Sequence, residues 1–229
     1  MHRLTTLALL LLFALLGACS SSGGVDTPIS PNSAPDQAPD QALNGTRLAP
    51  EPGQGEQLAT FAGGCFWCME PPFEKLEGVA AVLSGYTDGP ERAPTYKQVS
   101  GGKTGHTEAV LVYFDPKRVG YEELLETFWR AHDPTDAGGQ FADRGSQYRP
   151  GIYVHTQEQR QMAEASKRAL ADSARFEKPI VVPIEDAGDF WVAEDYHQDY
   201  YKKNYAHYER YRQGSGRAAF LTKTWADAP

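Results

Sequence analysis

Between Ser20 and Gly55 the chain offers almost nothing that a core could bury. The stretch is built of Ser, Gly, Pro, Asp and Gln, in runs such as SSSGG and APDQAPDQA. Ordering a backbone residue costs about 1–2 kcal/mol, and without apolar burial nothing offsets that cost. Ser20 to Gly55 therefore reads as a flexible tether, and folding is left to residues 56–229, enough for one domain with a sizeable core. No internal repeat divides that domain further. The formal net charge of −8 over 229 residues leaves no electrostatic footprint for nucleic acid.

The N-terminal side of the tether reads as an export signal. His2 and Arg3 precede an apolar run from Leu7 to Leu16, far too short to cross a bilayer as a helix. The run ends in LLGAC at Cys19, which resembles the bacterial lipobox. That resemblance implies a signal peptide over 1–18, cleavage before Cys19, acylation of Cys19, and a lipidated tether over 19–55. Each buried methylene adds roughly 0.8 kcal/mol of membrane affinity, so several acyl chains would hold the protein at the membrane surface. The expected location is the cell envelope, outside the cytoplasm, and Ser20 after Cys19 favours the periplasmic face of an outer membrane.

Within the domain, hydrophobic periodicity marks alternating elements. QLATFAGG reads as a buried strand ending in a tight turn, and VAAVLSGYT, EAVLVYFD and GIYVHT as further strands. CFWCMEPPFEKLEG reads as a short helix whose Pro71–Pro72 pair interrupts it, and GYEELLETFWRAH as an amphipathic helix. Thr156 with Gln159 three residues on forms a capping signal for a helix running to about Ala174. PIVVPI reads as a short strand and AEDYHQDYYKKNYAHYERY as one final helix. This interleaving without a Gly-rich phosphate loop indicates an α+β class, a sheet with helices packed on it.

Chemistry concentrates in GGCFWCME, where Cys65 and Cys68 bracket Phe66 and Trp67. A zinc site would need two more ligands, and the remaining cysteine is Cys19 while the histidines are scattered. A purely structural bridge between residues three apart would constrain the unfolded chain little. A redox or nucleophilic pair fits best, with Cys65 at a helix N-terminus, where N–H groups and the helix dipole are expected to lower its pKa. Thioredoxin-type disulfide exchange is the other reading of C-x-x-C. Two large aromatics between the cysteines instead suit an apolar group such as a methyl thioether. Taken alone, Phe66 and Trp67 read more readily as core.

GGCFWCMEPPF, SGYT, APTYKQVSGGKTGHTEAV, YFDP, HDPT, DRGSQYRPGIY and EDYHQDYY occur in the order and spacing of peptide-methionine sulfoxide reductase, the MsrA family. The chain resembles that family from about Thr60 to Tyr211, in a lipoprotein form. The resemblance implies a two-layer α/β sandwich, ferredoxin-like with elaborations. It also implies reduction of the S epimer of methionine sulfoxide, free or in oxidised proteins, consistent with one enzyme type per epimer. Cys65 matches the nucleophile and Glu108 the acid that protonates the departing oxygen. Tyr96 and Tyr148 match the hydroxyl donors to that oxygen, and Asp143 matches an organising carboxylate. Phe66 and Trp67 match the cradle for the substrate methyl, while His197 and Tyr200 lie in a motif placed close to the substrate. The chemistry leaves Cys65 as a sulfenic acid, which condenses with a neighbouring thiol. The stretch from Arg212 to Pro229 holds no cysteine, so Cys68 is the expected resolving residue. A thioredoxin-like dithiol is the expected external reductant, with no cofactor, no metal and a monomeric state.

Overall fold

The computed structural model describes residues 46–226. The expected signal peptide, the lipidation site Cys19 and the tether up to residue 45 lie outside the described residues. Upstream of Glu56, Thr46 to Pro50 packs on the domain. Arg47–Leu48 forms an edge strand, β1, and the Thr46 hydroxyl donates to the Pro94 carbonyl at 2.6 Å. The Tyr113 hydroxyl donates to the Pro50 carbonyl at 2.6 Å. These partners are too far away in sequence for composition to reveal.

The elements follow as β2 (Gln57–Gly63), α1 (Phe66–Glu74), β3 (Val79–Thr87), α2 (Tyr96–Ser100), β4 (Thr107–Phe114) and α3 (Tyr121–Trp129). A short hairpin comes next, β5 (Gly139–Gln140) and β6 (Asp143–Arg144), then β7 (Pro150–Val154) and α4 (Gln157–Asp172). The chain closes with β8 (Ile184–Asp186), β9 (Trp191–Val192), α5 (Tyr200–Lys203), α6 (Tyr205–Gly214) and α7 (Arg217–Thr224). The main sheet has the order β1-β9-β3-β4-β2-β7-β8, antiparallel throughout except for the parallel β7–β8 pair. The fold is mixed α/β.

Alternation along β2 explains how the sheet is covered. Phe61 points to the helical face, stacking on Phe73 of α1 and Phe128 of α3 at 5.1 Å each and on Tyr121 at 6.1 Å. Ala62, its neighbour, joins Ala109, Leu111, Tyr113, Tyr153, Phe190 and Val192 in a second apolar cluster. A strand buried on both faces has little polar alternation, and β4 is buried at every position.

Three local expectations are corrected. The Pro71–Pro72 pair does not interrupt α1, which is one helix across both residues. The prolines remove the donors that would reach back to Trp67 and Cys68, but Pro71 is buried and its ring joins the packing. PIVVPI is not a strand: pairing begins only at Ile184, since Pro179 and Pro183 cannot donate to a ladder. The single final helix is two, α5 and α6, with α7 following beyond it. Residues 195–199 form turns, Asp199 takes a left-handed φ of 54°, and Asn204 breaks the helix again at φ −131°.

Candidate active site

The site forms where β2 ends and β4 begins. Antiparallel register pairs Phe61 with Val110 and Tyr86 with Glu108, so Glu108 stands level with the last residues of β2. The chain then turns through Gly64 at φ 84°, a conformation glycine adopts without strain. A Cβ at Gly64 would also lie 2.5 Å from the Gln140 side chain. This turn delivers Cys65 to the N-cap of α1, and the Phe66 N–H donates to Glu108 Oε2 at 3.1 Å. Nucleophile candidate and acid candidate are thus tied together one residue apart.

Glu108 is 1% exposed. Burial pushes its carboxyl well above the usual range, outweighing the Phe66 N–H, with Asp143 and Cys68 adding to the rise. A carboxyl so placed holds its proton to higher pH than a free glutamate does. Burial also raises the Cys65 thiol, together with its hydrogen bond to Cys68 and the nearby Glu108 and Asp143. The lowering expected from a helix N-terminus is therefore overridden, because the cap is closed off from water among acidic groups. Cys68 goes the other way: the hydrogen bond from Cys65 lowers it against the cost of burial, helped by Arg217 and Arg212. Both cysteines are free thiols.

Tyr96 and Tyr148 approach this centre from α2 and from the turn after β6. Burial raises both phenols, with Glu108 and Cys65 contributing to each, so both hydroxyls remain donors. Neither hydroxyl has a protein hydrogen-bond partner among the described residues. Asp143 accepts from the Tyr211 hydroxyl in a short hydrogen bond, and burial raises its carboxyl against Tyr211 and Arg217. The aromatic side is a packed stack. Trp67 lies face to face with Tyr200 at 3.8 Å and 7°, and its indole N–H donates to His197 Nδ1 at 3.0 Å. His197 is fully buried against Phe66 at 5.0 Å and Tyr96 at 4.2 Å, and burial lowers its pKa to about 3. It is a neutral imidazole holding Trp67 from behind.

The geometry therefore gathers Cys65, Cys68, Phe66, Trp67, Tyr96, Glu108, Asp143, Tyr148, His197 and Tyr200 into one place. The sequence profile of the family Peptide methionine sulfoxide reductase matches residues 57–229. The chain belongs to this family. Among curated relatives, Peptide methionine sulfoxide reductase MsrA of Bacillus pumilus is 58% identical over 172 residues, covering 75% of this chain and 97% of that protein. The Bacillus subtilis protein of the same name is 56% identical over 170 residues, covering 74% and 96%. Among solved structures, reduced Mxr1 from Saccharomyces cerevisiae superposes with a TM-score of 0.61 at 32% identity, covering 69% of this chain and 90% of that one. Methionine sulfoxide reductase A of Corynebacterium diphtheriae gives 0.58 at 33%, covering 66% and 76%.

Within this member of the family, sequence reasoning missed four residues around the centre. Glu194 accepts from the Tyr96 N–H at 2.8 Å and the Tyr86 hydroxyl at 2.9 Å, so it fixes the start of α2. Tyr86 and Glu194 sit inside SGYT and EDYHQDYY, but nothing in those strings marks them as partners. Tyr211 is one of twelve tyrosines, and nothing in the string around Arg217 signals that the fold buries it. Glu70, Glu74 and Asp199 bring carboxylate oxygens within 4.8 Å of one another. Lys202 lies 2.7 Å from both Glu74 and Asp199, so a resident ammonium already pairs with two of the three.

Proposed function

We propose that this chain reduces the S epimer of methionine sulfoxide, free or in oxidised proteins, through a sulfenic acid at Cys65 and a Cys65–Cys68 disulfide. One observation carries the reading: a buried carboxyl, Glu108, is hydrogen bonded to the amide that follows the Cys65 nucleophile. A sulfoxide gives up its oxygen only if sulfur is attacked and oxygen is protonated together, and this pairing offers both partners. Cys65 attacks the sulfoxide sulfur while Glu108 supplies a proton to the oxygen. The hydroxyls of Tyr96 and Tyr148 donate to that oxygen as charge gathers on it. The Cys65 proton has an acceptor in Cys68, to which the thiol is already hydrogen bonded. Trp67 and Phe66, braced by Tyr200 and His197, hold the substrate methyl.

Oxygen transfer leaves methionine and Cys65 sulfenic acid. Cys68 then attacks the Cys65 sulfur, forming the disulfide and releasing the oxygen as water. A thioredoxin-like dithiol reopens the bridge by exchange and is itself oxidised. The ferredoxin-like core belongs to this reading and is supported by the order β7-β2-β4-β3, the arrangement of two βαβ halves around one sheet. So does the monomeric state, and so do the lipid anchor at Cys19 and the envelope location, which rest on the LLGAC string and the apolar-poor stretch after it.

Purified protein with methionine sulfoxide and dithiothreitol should release methionine from the S epimer and leave the R epimer untouched. C68S should release about one methionine per enzyme and then stall with thioredoxin, holding a sulfenic acid that a dione probe labels. C68S cycling with thioredoxin at the wild-type rate would remove Cys68 as resolver. Metabolic labelling with a fatty acid should tag the full-length protein and not C19A; an untagged wild type would remove the anchor.

A further inference from the structure

Arg217, the first residue of α7, is 1% exposed and is the only buried lysine or arginine among the described residues. No carboxylate comes within ion-pair distance of it among the described residues. Its guanidinium donates instead to the Gly63 carbonyl at 3.0 Å and the Ala131 carbonyl at 2.6 Å. It also reaches the Met69 sulfur at 3.9 Å and lies 4.8 Å over the Phe141 ring. Gly63 ends the strand that leads to Cys65, and Met69 follows Cys68 directly. The cation thus sits against the turn that leads to Cys65 and against the start of α1, which carries Cys68.

Burying a guanidinium without an ion pair in contact is costly, and neutral carbonyls offset that only in part. The positive charge left over acts on whatever ionisable groups are near. The groups coupled electrostatically to Cys68 are Cys65 from the turn, Glu108 from β4, Asp143 from β6, Tyr208, Tyr211 and Arg212 from α6, and Arg217 from α7. Arg217 and Arg212 are the cations of this set, and Arg217 is the buried one.

We propose that Arg217 is a positioning residue for recycling: its charge stabilises the Cys68 thiolate that attacks Cys65 sulfenic acid, and its fork holds the Gly63–Gly64 turn that aims Cys65. In that step the S–S bond forms, the S–O bond of Cys65 breaks, and hydroxide leaves and takes up a proton to become water. The oxidising equivalents come from the sulfoxide already reduced, so no further oxidant enters. The inference rests on Cys68 being the resolving cysteine.

The test is single-turnover kinetics of the full chain with methionine sulfoxide and no reductant, following methionine release and disulfide closure separately. R217Q removes the charge and keeps a donor for one carbonyl; R217K keeps the charge and loses the fork. At neutral pH, R217Q should slow closure about tenfold more than it slows release, with the gap narrowing at alkaline pH as Cys68 ionises unaided. R217K should restore the wild-type pH midpoint of closure even where both steps are slower. Equal slowing of both steps by R217Q, with an unchanged pH profile, would show a packing role only and overturn the proposal. Should R217Q not fold, C65S with Arg217 intact decides: ultraviolet thiolate absorbance should place the Cys68 midpoint below about 8.5, the value of a free cysteine. A midpoint at or above that value overturns the proposal. Wild-type cycling of C68S with thioredoxin instead overturns the resolver assignment itself, and this inference with it.

Discussion

The Phe66 amide and the Glu108 carboxyl meet at 3.1 Å inside the protein, so the proposed acid is held by the backbone of the helix whose N-cap, Cys65, is the proposed nucleophile. Any movement of α1 moves both together. Glu108→Gln keeps an acceptor for Phe66 and removes only the transferable proton. The sulfoxide step should slow by roughly 10²–10⁴-fold, the range for losing a general acid, while the fold stays intact by circular dichroism. Because burial raises Glu108, the wild-type rate should fall as pH rises through its folded pKa and the proton is lost. The variant should lack that alkaline limb. A loss under about threefold would move the acid role to Tyr96 or Tyr148.

Trp67 is aligned by a ring beneath it, Tyr200 at 3.8 Å, and by the His197 acceptor at its indole N–H. Tyr200→Ala removes the stack while leaving the hydrogen bond. An aromatic pair is worth about 0.5–1.5 kcal/mol beyond burial, so kcat/KM for a methionine sulfoxide peptide should fall roughly 2–10-fold. The change should appear mainly in KM, since the proposed cradle would bind the methyl and move no proton. A variant with unchanged KM would remove Trp67 from the substrate surface.

The domain's N-terminal edge is a second place where partners distant in sequence decide stability. A chain trimmed to begin at Thr46 keeps the β1–β9 pairing, the Ala49 N–H to Phe190 carbonyl bond at 2.9 Å, and the Thr46 and Tyr113 hydrogen bonds. A chain trimmed to begin at Glu56 loses them all. With about 1 kcal/mol per hydrogen bond, the shorter chain should unfold with roughly 2–4 kcal/mol less stability in urea. Equal midpoints would show that this edge contributes nothing.

What the sequence made readable follows from the range of the forces involved. Strand alternation and the Thr156 cap are local, and the Gln159 N–H donates to Thr156 Oγ1 at 3.1 Å as that pair of residues requires. The gathering of Cys65, Glu108, Tyr96, Tyr148 and Asp143 came from the order of the family's motifs. Glu194, Tyr211 and Arg217 act through partners 68 to 154 positions away, where no local pattern points. The ionisation of Cys65 was misread for a related reason: a helix N-terminus can be seen in sequence, but the buried carboxyls that outweigh it cannot.

Glu70 shows the same interplay on the far side of α1. It is 1% exposed, and burial pushes its carboxyl up to about 8, against the N–H that Asp199 donates at 3.0 Å and with Glu74 and Asp199 adding to the rise. Between the ordinary value of 4.5 and about 8, the folded state keeps a proton that the unfolded chain has released. Stability must therefore fall as pH rises across that window, and the penalty is complete above about 8. Glu70→Gln retains an oxygen for the Asp199 N–H and has no proton to lose. The variant and the wild type should match near pH 4.5 and separate as pH rises, the variant becoming more stable by roughly 2 kcal/mol above pH 8, below the ceiling of 1.36 kcal/mol per pKa unit. Urea unfolding of both proteins at acid and alkaline pH measures the gap. A gap that stays constant with pH would show that Glu70 is ionised throughout, its charge carried by Lys202 and the Asp199 amide.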